Sequence, residues 1–453
     1  MWSNNAAAAR LARTTSGSKD SSLQDRRHLK IAFLAHEYPK AERESGGVAS
    51  YLSIAAHALA DRGNEVHVLV CPPLYAHERD LDEMDGRVHV HWRKPPSFRG
   101  QRFVIKALGG YWALSHFLSG ICGYQFVRQF GPFDVIEYNA WGGHAWLLAV
   151  NPGSALVAQQ HGIPSAVVGR GSPIKVSRDM AIAEWLNGWT VRRAHVTSCQ
   201  SQYNEETLRS VGWLKEGAVV RSPHPIDWRV WQRVTPVART GPEVLWMGRL
   251  DQTKAPEVLL RAMAETPTAT ATLVGNSTDV HAGVPYIEWL RTFQPATCRF
   301  IGRIPRAQLL PLMSQARVVA MTSWFEGFGY TALEAMASGR PVVVTENMGI
   351  AEYVSESGAG AVIPPGSPQA LAKALRPYLD DAEYAQEVGV RARDFIKRVM
   401  DPDTWAASRE QIYRQAIGRQ QRCPTMRQPR PECCDQDART PDPVRNNHGL
   451  RFP

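Results

Sequence analysis

The chain has 453 residues, 44% apolar and 21% charged, which suits two or three cored domains and excludes a disordered or membrane-embedded chain. Its net charge of +9 invites a nucleic-acid reading, but residues 1–30 carry six basic against two acidic residues, and residues 418–453 carry seven Arg against four acids. Only +2 is left for the 387 residues between, so no folded basic face is expected and no nucleic-acid partner.

Residues 1–29 read as a disordered leader. They lack the apolar run of a secretory signal and are broken by Arg10 and Arg13. The first strand is "KIAFLAH", from Lys30. A glycine-bearing loop, "EYPKAERESGGV", leads into a helix, "ASYLSIAAHALADRG", which Gly63 stops, and then into the strand "NEVHVLVCP". Strand–loop–helix–strand is the unit of a parallel sheet. From Ala107 to Val127 the chain holds no formal charge, yet four Gly, two Ser, His116 and Gln125 make a poor membrane span. A helix packed inside the protein is expected, with a shallow lipid contact as the second reading. "DVIEYN", "SALVAQQHG" and "HVTSCQ" read as further strands, with a helix through "AEWLNGWTVRRA". Each strand is a short, nearly continuous apolar run, as expected when both faces are covered.

"RVTPVARTGPE", residues 233–243, is rich in Pro, Thr and Gly and marks a domain boundary. The strand–helix alternation then restarts through "EVLWMGRL", "APEVLLRAMAE", "TATATLVG", "CRFIGRI", "RAQLLPLMSQA", "RVVAMTS", "RPVVVTEN" and "GAVIPPG". Residues 30–235 and 243–400 are thus two doubly wound, Rossmann-like α/β domains, expected to face each other across a cleft at the carboxyl ends of their strands. "DPDTWAASREQIYRQAI", residues 401–417, makes a last helix that returns to the first domain. Residues 418–453 read as a disordered tail. The seven cysteines form no C-x-x-C pair, which points to free thiols in a reducing, cytoplasmic setting.

"WFEGFGYTALEAMASG" holds two glutamates in an apolar stretch. Burying a carboxylate is costly unless something pairs with it. Glu326 follows a strand, Gly327 and Gly329 give an adaptable loop, and a helix starts near Tyr330 with Glu334 one turn in. The N–H groups of Phe328, Gly329 and Tyr330 at the helix start suit a phosphate, while two carboxylates suit the paired hydroxyls of a ribose or hexose. A ligand with phosphates between two diols is a nucleotide diphosphate sugar. Arg249 and Lys254, in "WMGRLDQTK", stand at the carboxyl edge of the same sheet and would neutralise a departing diphosphate. The D-x-D sequences at Asp80, Asp401 and Asp435 follow no strand, so Arg249 and Lys254 are expected to replace a metal. No metal or other cofactor is expected.

"GRLDQTK", "FIGRIP" and "EGFGYTALEAMASGRPVV" resemble the second domain of glycosyltransferase family 4, whose members are retaining enzymes of the GT-B fold. The pair Glu326/Glu334 resembles that family's Glu-x7-Glu motif. "ESGGVASYLSIAAHALADRGNEVHVL" is similar to its first-domain opening, and the likeness spans about residues 30–417. Two departures stand out: "MGIAE" puts Met348 where a first glycine is usual, and "SPHPID" replaces a Pro-Asn-Gly stretch. The resemblance implies that Glu326 contacts the transferred sugar and Glu334 the ribose, that Arg249 and Lys254 hold the diphosphate, and that Gly46 and Gly47 approach the donor phosphates. It implies His161 near the reacting sugar and Gly302, Arg303 and Ile304 against the base, with Gly327, Phe328, Gly329 and Tyr330 forming the donor loop.

The expected activity is hexosyl transfer, with retention, from a UDP- or GDP-sugar to an acceptor hydroxyl on a sugar, glycan, lipid-linked or small molecule. No first-domain carboxylate offers itself as a nucleophile, so front-face departure and attack are expected rather than double displacement. The alternatives are a nucleotide-sugar epimerase of the same fold and a non-catalytic donor-binding protein. Two aromatic-rich first-domain segments, "FRGQRFVIKALGGYWALSHF" and "YNAWGGHAW", could hold a sugar, lie against lipid or belong to the core.

Overall fold

The computed structural model describes residues 28–40, 46–74, 79–163, 176–214, 219–232, 243–277 and 279–422. The first half contributes β1 (Lys30–Ala35), β2 (Glu65–Val70), β3 (Leu81–Asp85), β4 (Val88–Trp92), β5 (Val135–Asn139), β6 (Ala155–Gln159), β7 (Val196–Cys199) and β8 (Val219–Arg221). These form one sheet in the order β3-β4-β2-β1-β5-β6-β7-β8. Every pair is parallel except β3–β4. Along β1, Ile31, Phe33 and Ala35 join one apolar cluster while Ala32 and Leu34 join another. That two-sided burial is why the strand reads as an unbroken apolar run. Its helices are α1 (Gly47–Asp61), α2 (Gln101–Leu108), α3 (Trp112–Phe130), α4 (Arg178–Val191), α5 (Gln202–Ser210) and the short α6 (Trp228–Trp231).

The second half contributes β9 (Val244–Met247), β10 (Ala271–Val274), the small pair β11 (Val280–His281) and β12 (Val284–Pro285), then β13 (Cys298–Phe300), β14 (Val318–Ala320), β15 (Val342–Thr345) and β16 (Gly360–Ile363). Its main sheet runs β13-β10-β9-β14-β15-β16, all parallel. The helices are α7 (Pro256–Ala264), α8 (Tyr286–Arg291), α9 (Arg306–Gln315), α10 (Tyr330–Ala337), α11 (Ala351–Ser357), α12 (Pro368–Asp380), α13 (Ala382–Val399) and α14 (Pro402–Arg422). In each sheet the strand order reverses at the first strand. β2 and β5 flank β1, and β10 and β14 flank β9. Crevices at the carboxyl ends of such switch points bind ligands.

Helix α14 packs on α1 and β6 of the first sheet. Trp405, Arg409 and Tyr413 recur every four residues, so they share one face. Trp405, Ile412, Tyr413 and Ala416 join the cluster that holds Phe33, Tyr51 and Leu59. Each large apolar side chain so buried contributes on the order of 1.5–3 kcal/mol. The helix runs past Ile417 to Arg422, further than the sequence suggested. Arg419 Nη1 donates to the His195 carbonyl at 3.0 Å, which ties down the extra turn.

Other differences have local causes. "LDEMD" holds three acids in five residues, a composition that disfavours a strand, yet it forms β3, an exposed edge strand. Its polar groups pair with the neighbouring strand: Asp82 accepts from His91 at 2.7 Å and Glu83 from Trp92 Nε1 at 2.6 Å. The uncharged stretch 107–127 is split by Gly109, in the left-handed region at φ 75°. The part beyond it forms most of α3, which buries ten residues. Among the described residues no helix is long and apolar enough to cross a membrane. The interdomain stretch before Glu243, the leader before His28 and the tail after Arg422 lie outside the described residues.

Candidate active site

The carboxyl edge of the second sheet gathers part of the expected set. After β14 the chain runs to Glu326, which forms an isolated parallel bridge with Met348. Met348 is fully buried, and a Cβ on Gly329 would lie 2.8 Å from its Cε. The methionine thus packs directly under the loop at the position where a first glycine is usual. Gly329, at φ 109°, ends the loop and caps α10, a backbone state L side chains rarely adopt. Among the described residues neither the Phe328 nor the Gly329 N–H has a hydrogen-bond partner. Those donors stand at the positive end of α10, where an anion is favoured.

Lys254 and Glu326 meet. Lys254 Nζ pairs with Glu326 Oε1, and Ser323 Oγ donates to the same oxygen at 3.0 Å. The two side chains are 20% and 16% exposed, so both can reach a ligand. The Lys254 loop is fixed by its N–H on Asp251 Oδ1 at 3.0 Å and by Thr322 Oγ1 on its carbonyl at 2.8 Å. Arg249 does not join them. It pairs with Asp251 Oδ2 at 3.0 Å and stays 73% exposed on the rim. Glu334 lies half-buried on α10. At the ends of β10 and β13, the Gly302 carbonyl accepts from Gly275, and the Arg303 N–H donates to Asn276 Oδ1 at 3.0 Å. Ile304 packs on the second-domain core.

The first domain closes on this edge. A Cβ on Gly327 would overlap the carbonyl oxygen of His161, so only glycine allows the approach. Asn204 Nδ2 donates to the Gly327 carbonyl at 2.6 Å. Ser201 caps α5 and receives the Asn204 N–H at 3.2 Å, which aims that amide. Tyr330 donates its hydroxyl to Pro225 O at 2.9 Å and Tyr353 to Gln200 O at 2.6 Å. The Tyr330 ring also lies against Gly47, 3.3 Å from where a Cβ would stand. Gly46 is reached by a carboxylate of its own chain: Glu37 accepts the N–H of Gly46 and of Ala49, both at 3.2 Å. The N-terminus of α1 therefore already holds an anion.

His161 stands at the end of β6, edge-on to Tyr51 at 5.1 Å and tilted to His224 at 5.1 Å. Burial, then the nearby His36 and Arg409, push its pKa down to about 3. It is therefore a neutral ring at working pH. His224 is held down by burial in the same way.

Several residues of this neighbourhood escape a sequence reading. Glu137, in the middle of β5, is 2% exposed. Its Oε1 accepts from Tyr51 and its Oε2 from Tyr413, both at 2.6 Å. Arg409 reaches Oε2 through Nε at 2.8 Å and Nη2 at 2.6 Å, and also binds Gln159 and Ser198. A signal existed: a glutamate inside an apolar strand needs a partner, and an arginine in phase with Trp405 and Tyr413 faces inward. The D-x-D aspartates are engaged elsewhere. Asp80 accepts from the Lys94 N–H at 2.9 Å. Asp401 accepts from Trp228 Nε1 and from the N–H groups that open α14. Asp435 lies outside the described residues. Among those described, no three His, Cys, Asp or Glu are grouped to hold a metal ion.

Comparison with known proteins follows the same division. The family description "Glycosyl transferases group 1" matches residues 229–395, and "Glycosyl transferase 4-like domain" matches residues 46–224. Glycogen synthase of Mycobacterium tuberculosis is 28% identical over 408 residues, covering 85% of this chain and 94% of that protein. A D-inositol 3-phosphate glycosyltransferase of Jonesia denitrificans is 25% identical, covering 81% and 91%. Among solved structures, sucrose-phosphate synthase from Thermosynechococcus elongatus superposes with a TM-score of 0.72 at 21% identity, over 86% of this chain and 99% of that one. HepE of Anabaena in complex with UDP-glucose superposes at 0.62 with 20% identity, over 85% and 99%. With two sheets closing on one cleft and each half matched in turn, the chain belongs to the glycosyltransferases of GT-B fold and family 4 type.

Proposed function

We propose that this glycosyltransferase moves a hexose from a nucleotide diphosphate sugar to an acceptor hydroxyl with retention and without a metal. The observation that carries the reading is the Lys254–Glu326 pair beside the N-terminus of α10. In the structure the two groups neutralise each other. A donor would exchange both partners at once, Lys254 turning to the diphosphate and Glu326 to the sugar hydroxyls. Charge-assisted contacts then replace a charge-assisted contact, so little desolvation is left uncompensated.

In the reaction the bond from the anomeric carbon to the phosphate oxygen breaks, and its electron pair leaves with the diphosphate. The acceptor oxygen bonds to the same face of that carbon, and its proton passes to the leaving phosphate. Lys254 and the N–H groups opening α10 stabilise the charge that develops. Glu137 favours this route over double displacement, because both of its oxygens are occupied by Tyr51, Arg409 and Tyr413. Neutral His161 serves as a hydrogen-bonding group to the sugar. The close contact of Gly327 with His161 would help to keep water from the reacting centre. UDP-glucose is the first donor to try, since HepE is recorded with it. The four buried described cysteines are free thiols, which suits a reducing compartment.

Calorimetric titration with UDP and GDP, followed by UDP-glucose hydrolysis and anomeric analysis of any product, tests the reading. Turnover that survives EDTA, retains configuration and falls about 100-fold or more in Lys254→Ala is the expected result. Turnover abolished by EDTA and restored by Mn2+ would remove the metal-free part. A donor whose sugar is epimerised without transfer would replace it with the epimerase reading.

A further inference from the structure

We propose that Trp112 and Trp141 form the acceptor subsite, and that the acceptor is an uncharged carbohydrate whose pyranose ring lies on these indoles. The inference rests on the transferase reading above and concerns its second substrate.

The two aromatic segments of the first domain come together. Trp141 follows β5 by two residues and His36 follows β1 directly, so both stand at the switch point of the first sheet. The Trp112 and Trp141 ring centroids lie 6.0 Å apart at 58°. Tyr111 stacks on Trp112 at 4.6 Å, and His116 meets Trp141 edge-to-face at 4.9 Å. All three of Tyr111, Trp112 and Trp141 are half-buried, so part of each indole stays open to a ligand.

Buried polar groups hold this shelf still. Asp179, fully buried, accepts the N–H of Trp112 at 2.7 Å and of Ala113 at 2.8 Å. Asn139 Oδ1 accepts the Trp141 N–H at 3.0 Å, and Asn139 Nδ2 reaches His36 Nδ1 at 3.3 Å. Asn187 Oδ1 accepts the Gly143 N–H at 3.2 Å, and its Nδ2 reaches His116 Nδ1 at 3.2 Å. A core aromatic pair needs no such bracing of its backbone, whereas a binding surface gains from being preorganised.

The shelf also offers an anion no cationic partner over its rings. Burial, then His36, push the His116 pKa down to about 3. Both Asp179 oxygens are taken by the helix start. Among the described residues no cation lies over Tyr111, Trp112 or Trp141. Among the described residues, a phosphate or carboxylate placed on these rings would therefore lack a cationic partner. A pyranose instead sets its C–H face on the negative face of an indole. Its hydroxyls meet Asn139, whose amide keeps one hydrogen and one lone pair to spare. Asn139 ends β5 opposite Gln159 of β6, two residues before His161, so the shelf and His161 stand at the same edge of the first sheet.

The test measures binding rather than turnover, so it stands whether or not the donor chemistry is right. With UDP present, maltotriose, cellobiose and mannobiose are compared with glucose 6-phosphate and myo-inositol 1-phosphate by saturation-transfer NMR and intrinsic fluorescence. At least one neutral saccharide should bind through its ring C–H protons and in preference to both phosphates. Trp141→Ala should weaken it about tenfold or more, and Trp141→Phe should restore it to within about threefold. The UDP affinity and Tm of both variants should match the parent, which a merely structural indole would not allow. Preference for a phosphorylated ligand, no binding by any saccharide, or an unchanged affinity in Trp141→Ala overturns the inference. Failure to bind UDP or GDP bears on the donor reading alone.

Discussion

Two carboxylate–cation pairs, one at each sheet of this molecule, do opposite work. In the second domain, Lys254 and Glu326 are 20% and 16% exposed and are braced by a single serine. In the first, Arg409 and Glu137 are 0% and 2% exposed, and two tyrosines, a glutamine and a serine complete the shell. The first pair can trade partners with a ligand at little cost. The second cannot, because separating it would strand a charge in a dry core. Ion-pair chemistry alone therefore does not mark a site; access and the number of competing partners do.

The largest effect expected from breaking this comparison is in the buried pair. Arg409→Met should cost about 3–5 kcal/mol of stability, read from urea midpoints. Adding Glu137→Gln should recover most of it, since the stranded charge is then gone. If the single variant unfolds no more easily than the parent, the buried pair is not structural. Next comes the exposed pair. Lys254→Ala should change stability by about 1 kcal/mol or less but slow transfer by about 100- to 1,000-fold. A variant equally damaged in both would erase the distinction drawn here.

A pH series sharpens the contrast further. Burial pushes His116 and His144 each from 6.5 down to about 3 in the folded chain. Between those values the unfolded chain binds the protons and the folded one does not, so stability rises with pH across that window. Acidification from pH 6.5 toward 3 should cost about 1.4 kcal/mol per pH unit for each of these histidines. Denaturation midpoints that stay flat between pH 7 and 5 would contradict it. The smallest effect is expected from Tyr51→Phe, which keeps the ring against His161 and His224 and removes one bond to Glu137. About 1 kcal/mol should be lost, with the UDP affinity unchanged.

Closure gives the same lesson on a larger scale. Gly327 against His161, Asn204 on the Gly327 carbonyl and Tyr330 on Pro225 join residues from opposite sheets. The glycines of "EGFGY" are visible in the sequence, but their use at the seam is not. Arg249 shows the reverse case. Its place after β9 is legible, yet its side chain turns to Asp251 rather than to Glu326.

The sequence by itself determined the two doubly wound domains, because apolar runs, glycine stops and helix periods are local signals. It also determined the loop from Glu326 to Tyr330 and the Lys254 loop, because each lies within a few residues of a strand end. Tertiary structure alone decided which groups meet. Glu137 and Arg409 are 272 positions apart, and Lys254 and Glu326 are 72. Trp112 and Trp141 come together only once α3 is laid beside the end of β5. Periodicity fixes which face a side chain takes, while sheet register and helix placement fix what it finds there.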